Sequence, residues 1–305
     1  MSYVIHILTT INLFVLLAIS LDLLVGYAGL MSLAHAAFFG LGAYSTALLT
    51  KMGWSALVAQ GAGMLLAACL SSLIALPSMR IKGIYLLIIT MSVQVGFTVT
   101  AQNWIGLTGG EAGVSSISPY SLFGYEFRGV PFLLLCILFT LLWFVVCRRL
   151  VLSPFGRLLV ALRDDETGCT ALGKNVGAAK IAVFAFSASI AAFAGSLFAH
   201  YTGYVDPSSF DMHVSILILL MVMVGGAGTL LGPVLGALIL SLLPEIFKFV
   251  PLAPGVAAAS RQLLYGLMLI LIVYFRPQGL FSYGRRRHRS PKTGSASPGQ
   301  VRHAS

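Results

Sequence analysis

The sequence predicts an all-α, polytopic transmembrane helical bundle. Hydrophobic residues make up 58% of its 305 residues and charged residues only 9%, whereas soluble domains carry about 25% charge. Apolar runs follow one another along most of the chain, and a spanning helix needs about 20 apolar residues. The length therefore accommodates about eight to ten membrane segments in one domain, some of them broken or re-entrant.

The apolar runs supply the elements in order, and two of them are too short to cross a membrane alone. These two flank Gly225, Gly226 and Gly228, which predicts either a broken helix or two tilted ones. If the second run is re-entrant, the number of crossings and the side of the amino terminus change. The nine runs occupy residues 4–25, 30–49, 54–76, 84–101, 131–147, 181–198, 212–224, 230–243 and 263–275.

Basic residues are concentrated in two segments, which predicts the orientation. The formal charge of +10 would suggest nucleic acid in a soluble protein, but cytoplasmic loops of membrane proteins collect Lys and Arg. Residues 148–180 and 284–305 are therefore predicted to be cytoplasmic, and the acidic loops around Glu111 and 206–211 external. We expect a membrane domain over 1–283 and a basic, disordered tail over 284–305.

Neither a metal site nor a cofactor site is indicated. The four cysteines lack CxxC spacing and His partners. Gly168, Gly173 and Lys174 match a P-loop pattern, but Asn175 stands where magnesium requires Ser or Thr. The first apolar run lacks a basic leader and a cleavage site, which favours a retained span over a signal peptide.

The polar loop 148–180 contains a predicted helix, with Ser153 as N-cap, Pro154 at its first position and Gly173 near its end. Its apolar residues would lie on one face, suited to a groove on a partner or to the membrane surface. The apolar residues are Leu158, Leu159 and Leu162, and the charged ones include Arg157, Arg163 and Glu166.

Small residues recur at every fourth position in two places, which predicts faces for close helix packing. The first face comprises Ser187, Ala191, Gly195 and Ala199, and the second Gly228, Gly232 and Gly236.

Asp22 and His35 are ionisable residues inside apolar runs, where such groups are costly. Asp22 is interpreted as a hydrogen-bonding partner of another helix, a silent protonated acid or a proton-coupling group. His35 is interpreted as a packing residue rather than a substrate contact. A narrow polar path, or close packing alone, would explain the nearby Gly26, Tyr27, Gly29, Ser32, Gly40 and Gly42.

Several segments resemble, in the same order, the permeases of branched-chain amino acid ABC transporters, specifically the LivM-type subunit. The longest, from Ser153 to Ala199, reads SPFGRLLVALRDDETGCTALGKNVGAAKIAVFAFSASIAAFAGSLFA. The others are GYAGLMSLAHAAFFGLGAY, RIKGIYLLIITMS, LTGGEAG, VGGAGTLLGPVLGA and RPQGLF, starting at positions 26, 80, 107, 224 and 276.

The resemblance implies an importer of five parts, embedded in the inner-membrane lipid bilayer, with this chain as one permease. The others would be a second permease, two cytoplasmic ATPase subunits and a periplasmic substrate-binding protein, with no nucleic acid. The family's coupling helix would correspond to residues 154–173. Gly109 and Gly110 of the LTGGEAG segment join the candidate path. Thr167, Gly168 and Cys169 depart from the family's usual alanines.

The resemblance leaves the cargo open among branched-chain amino acids, other amino acids, amides and urea. A proton-coupled secondary transporter is the alternative function, for which only Asp22 and His35 qualify as proton carriers. A membrane enzyme would need clustered nucleophiles, acids or metal ligands, and the sequence shows none.

Overall fold

The computed structural model describes residues 2–76, 84–122, 125–247 and 266, and these residues form a helical bundle. A π-helical turn, Leu23–Tyr27, continues the first helix. The α-helices of the described part are α1 Ser2–Asp22, α2 His35–Lys51, α3 Ala56–Ala75, α4 Ile84–Asn103, α5 Ile105–Thr108, α6 Val130–Leu152, α7 Pro154–Asp164, α8 Glu166–Ala171, α9 Val176–Thr202, α10 Met212–Gly225 and α11 Leu231–Phe247.

Six helices within the described ranges are long and apolar enough to cross a membrane. Helices α2 and α11 lie in the same bundle but have only 17 residues each. The predicted fold class is therefore confirmed, and the predicted count of segments is approximate. The ninth run, 263–275, and the tail 284–305 lie outside the described residues, apart from Gly266, which is helical.

Helix α9 forms the centre of the bundle because small residues let its neighbours approach. It has 27 residues, which corresponds to a length of about 40 Å. A Cβ atom at Gly195 would overlap the backbone of Phe39, and one at Gly42 would overlap the backbone of Ala192. Helices α2 and α9 therefore pack backbone against backbone, which compensates for the weak hydrophobic driving force within lipid.

Helices α10 and α11 form a hairpin that packs through glycines. A Cβ atom at Gly236 would overlap the carbonyl of Met221, and one at Gly225 would overlap that of Gly232. The expectation of one face containing Gly228, Gly232 and Gly236 is wrong. Gly228 precedes α11 and lies in the connecting turn with φ +83°, because the chain must reverse direction there.

The two ends of the bundle carry different connections. At one end, called the α7 end, lie α7, α8, the start of α9 and the turn 226–230. At the other, called the β end, two short strand pairs lie beyond the last turn of α9. β1 (Val114–Ser115) pairs with β4 (Tyr204–Val205), and β2 (Ser121–Leu122) pairs with β3 (Tyr125–Glu126).

Candidate functional site

The first interruption in the membrane helices lies between α1 and α2. The chain leaves helical geometry after the π turn, and residues 28–34 are irregular until α2 begins at His35. Most of these residues are buried inside the bundle. Irregular backbone is tolerated at membrane depth only where protein or water satisfies its polar groups, so the hydrogen-bond partners of this segment decide its stability.

Side chains from α4 and α10 bind the N–H groups at the start of α2. Thr90 Oγ1 accepts from Leu33 N at 3.1 Å. Gln94 Oε1 accepts from Ala37 N at 2.7 Å, and Ser215 Oγ accepts from Ala36 N at 2.9 Å. These residues cap a helix whose first N–H groups have no partner within the helix itself.

Gln94 is the centre of this capping network. Its Oε1 also accepts from Ser215 Oγ at 3.1 Å, and its Nε2 donates to Phe210 O at 2.7 Å. Both ends of the buried amide are thus bonded, which fixes its orientation. The network joins α4, α10 and the 3₁₀ turn Pro207–Phe210 to the start of α2.

His35 belongs to a second buried series of hydrogen-bonded polar groups. Its Nε2 lies 3.1 Å from Ser187 Oγ, and Ser187 Oγ in turn donates to the carbonyl of Ser20. His35 and Ser187 are fully buried. This arrangement links α1, α2 and α9.

The second interruption, the turn 226–230, contacts the first. Asp22 is fully buried, and its Oδ1 accepts from Gly228 N at 2.7 Å. A Cβ atom at Gly26 would overlap both the Asp22 carboxylate and the Gly228 backbone. Among the three interpretations of Asp22, the observed contact is the hydrogen bond to a neighbouring segment, and it is made to the backbone.

The side chain of Arg163, on α7, reaches the contact between the two interruptions. Its Nη1 donates to the carbonyl of Gly26 at 2.5 Å, and its Nε donates to Asp164 Oδ1 at 3.3 Å. The helix that follows α6 is thereby connected to the interruption between α1 and α2. Sequence reasoning places Arg163 on a docking helix but does not predict this contact, because the two residues are 137 positions apart.

The predicted single helix over 154–173 is two helices. Ser153 caps α7, as predicted, by accepting from Gly156 N at 3.4 Å. The chain is extended at Asp165, with φ −153° and ψ 99°. Asp165 Oδ1 then accepts from Gly168 N at 3.0 Å and caps α8. An Asp that can bond the backbone ahead of it favours such a new helix start.

The apolar face of α7 packs against the chain itself, so the expectation that all three leucines face a partner groove is wrong. Leu159 is 0% exposed and belongs to the main core, and Leu162 is 4% exposed. Leu162 packs with Cys169 and Val176, and the partly buried Leu158 lies against them. Periodicity locates an apolar face but does not reveal what covers it.

Glu166 also has its partner within the chain. Its Oε1 lies 2.8 Å from Lys180 Nζ, and the Lys180 side chain is 3% exposed. This ion pair joins α8 to the first turns of α9. The outer surface of the α7–α8 pair instead presents Arg157, Ala161, Thr167, Ala171, Gly173 and Leu172, which is 80% exposed.

The candidate path residues do not form one site. Gly26, Tyr27, Gly29 and Ser32 lie in the first interruption. Gly40 and Gly42 pack inside the bundle, where a Cβ atom at Gly40 would lie 2.6 Å from the Phe97 ring. Gly109 and Gly110 lie at the β end, where both have positive φ and shape the turn after α5.

Tyr120 closes the β end of the bundle. It is fully buried, and its hydroxyl donates to Gln60 Oε1 at 3.2 Å. Burial, with a smaller contribution from Cys136, raises the pKa of Tyr120 to about 12, so the hydroxyl stays protonated. Its ring also lies edge-on to His200, whose Nδ1 is 2.8 Å from Ser118 O. His200 is itself buried.

The P-loop-like string begins inside a helix, since Gly168 lies within α8, and ends in the turn after it, at Gly173 and Lys174. A phosphate-binding loop would instead follow a strand and precede a helix. In the residues that the structure describes, no three His, Cys, Asp or Glu side chains are grouped as a metal site requires.

Comparison with known proteins identifies the family. Residues 3–273 match the family model described as the permease component of branched-chain amino acid transport systems. The high-affinity branched-chain amino acid transport system permease protein LivM of Escherichia coli K12 is 32% identical over 92% of this chain and 70% of the relative. LivM of Salmonella typhimurium LT2 is 31% identical over the same shares.

A third relative is less similar. The probable branched-chain amino acid transport permease protein LivM of Methanocaldococcus jannaschii is 29% identical over 67% of this chain and 62% of the relative. No solved structure matches the chain. The chain belongs to the family of branched-chain amino acid transport permeases, which are multi-pass, membrane-spanning subunits of ABC transporters.

Proposed function

We propose that this chain pairs with a second permease to form the translocation path of an importer for branched-chain or related small amino acids. Two separate ATPase subunits would power the importer, and a periplasmic binding protein would deliver the cargo. One observation carries the proposal: the α7–α8 pair projects an exposed surface and is hydrogen-bonded, through Arg163, to an interruption in the membrane helices. Such interruptions line substrate paths in other transporters.

The ATPase contact is proposed for the exposed side of α7 and α8. Leu172 is 80% exposed at the end of α8, next to the small Ala171. An exposed aliphatic side chain at a helix end suits insertion into an apolar pocket on a partner. The buried Leu159 would instead hold α7 against the main hydrophobic core.

Replacement of Leu172 by Asp tests this contact. A charge carried into an apolar pocket is strongly unfavourable, so the ATPase subunits should dissociate during purification and uptake should fall. Tyr125→Asp is the matched control, because Tyr125 is 59% exposed but lies at the β end. Equal ATPase retention in both variants would contradict the proposed docking surface.

The second permease is proposed to cover α4. Among the six candidate spans, this helix has the lowest mean hydropathy, 1.3. Nevertheless, only 22% of its most apolar 18-residue stretch is buried inside the bundle. Its exposed positions include Ser92, Gly96 and Thr100, whereas lipid favours large apolar groups. Oxidative cross-linking of Gly96→Cys to the partner permease tests the contact, with Leu138→Cys on the aliphatic exposed face of α6 as control.

The α7 end is proposed to be cytoplasmic, because Arg148, Arg149 and Lys174 are exposed there. A reporter after residue 284 should then be cytoplasmic, and one within 103–128 external. Cysteine accessibility in intact cells and in lysed cells measures both positions. The opposite pattern would reverse the orientation.

A further inference from the structure

The side chain of Arg163 lies beside three glycines, where the two interruptions in the membrane helices meet. Its Nη1 donates to Gly26 O at 2.5 Å. A Cβ atom added to Gly29 would lie 2.6 Å from Arg163 Cγ, and one added to Gly228 would lie 3.1 Å from Arg163 Nη1. Gly29 and Gly228 have φ values of +69° and +83°, which favour glycine. Both glycines therefore provide the space that the arginine occupies.

The two interruptions that Arg163 touches are also joined to each other. Gly228 N donates to Asp22 Oδ1 at 2.7 Å, and Asp22 is the last residue of α1. The end of α1, the π turn and the turn between α10 and α11 thus form one hydrogen-bonded unit. Arg163 adds α7 to this unit from outside the membrane helices.

Chemistry favours arginine for this connection. A guanidinium carries five N–H donors in a rigid, planar arrangement and stays charged. Here one nitrogen binds the Gly26 carbonyl while another binds Asp164, and the side chain is 29% exposed. Hydrogen bonds in which one partner is charged are stronger than neutral ones, so α7 cannot shift without moving Gly26 or losing this bond.

We propose that Arg163 is a positioning residue that transmits displacement of α7 to both interruptions in the membrane helices. This inference rests on the proposed function, because an ATPase bound to the α7–α8 pair supplies the displacement. When α7 moves, the Arg163 guanidinium pulls the Gly26 carbonyl and changes its contact with the Gly228 turn. The substrate path then opens or closes at its α7 end.

The test compares Arg163→Gln with Arg149→Gln in proteoliposomes that contain the whole importer. Both changes remove one positive charge at the α7 end, but Arg149 is exposed on α6 and lies outside the proposed ATPase contact. Loss of a charge-assisted hydrogen bond corresponds to a change of about tenfold to a hundredfold. We expect Arg163→Gln to lower the maximum uptake rate by that factor, with KM unchanged and with normal ATPase retention and ATP hydrolysis. Arg149→Gln should transport like the wild type.

A spectroscopic measurement separates transmission from a merely structural effect. Ala227 is exposed in the turn between α10 and α11, and a nitroxide placed there by Ala227→Cys, in a Cys69→Ser background, reports the motion of this turn. ATP should change the nitroxide spectrum in the importer with Arg163. It should leave the spectrum unchanged in Arg163→Gln, although hydrolysis continues.

The outcomes are distinguishable. Arg163→Gln with uptake and spectral response equal to those of Arg149→Gln overturns the inference and leaves the proposed function intact. Failure of the wild-type chain to retain an ATPase overturns the proposed function instead. If Arg163→Gln does not accumulate in the membrane, Arg163→Lys decides: lowered uptake with retained ATPase supports the inference, and wild-type uptake overturns it.

Discussion

Replacement of Asp22 separates the two transport mechanisms that the sequence allows. In Asp22→Leu, the Gly228 N–H loses its acceptor at 2.7 Å in a fully buried location. Leaving a buried donor without its acceptor costs about 1–3 kcal/mol, or roughly a fivefold to hundredfold change in an equilibrium constant. Because the bond joins the end of α1 to the turn 226–230, we expect lower thermal stability and much slower uptake.

Asp22→Asn is the informative companion variant. The amide oxygen of Asn can accept the same hydrogen bond from Gly228, but the side chain cannot carry a proton. If Asp22 acts through this contact, Asn should preserve most of the stability and uptake that Leu removes. If Asp22 couples proton movement, Asn should abolish transport as completely as Leu does.

The assay measures ATP-driven uptake in proteoliposomes and the thermal unfolding midpoint in detergent, at equal amounts of reconstituted chain. We expect the uptake rate and the unfolding midpoint to be highest for the wild type, slightly lower for Asp22→Asn and much lower for Asp22→Leu. An Asn variant that is stable but inactive would refute the hydrogen-bonding role and favour the proton-coupled transporter.

Three further predictions follow from the packing. Leu159→Asp should lower the amount of folded chain in membranes by placing an unpaired charge in the core, whereas Leu172→Asp should insert normally; immunoblots of membrane fractions compare them. Gln94→Leu should reduce the thermal unfolding midpoint, because two backbone groups lose partners worth about 1–3 kcal/mol each; an unchanged midpoint would contradict the capping role. Gly195→Val should separate α2 from α9 and prevent stable insertion, while Gly96→Val, which faces open space, should not.

The sequence predicts the helices well because lipid imposes a simple rule on composition. The run 84–101 becomes α4, Ile84–Asn103, and the run 212–224 becomes α10, Met212–Gly225. The interruption at Gly225–Gly228 is also predicted, since both flanking runs are short. Each of these inferences needs only local information.

Contacts between distant segments could not be predicted. Gln94 interrupts an apolar run, which signals a buried polar role, but nothing local indicates that it caps α2. The same holds for Glu166, which pairs with Lys180 rather than facing a partner. An amphipathic pattern such as that of α7 shows that Leu159 is covered, and only the tertiary structure shows that the chain itself covers it.

The most direct test of the proposed importer measures amino acid uptake by the reconstituted importer with and without ATP, in the presence of an ionophore that collapses the proton gradient. We expect uptake to require ATP and the ATPase subunits, and to persist when the proton gradient is collapsed. Uptake by this chain and its partner permease without ATPase subunits, abolished by the ionophore, would contradict this expectation.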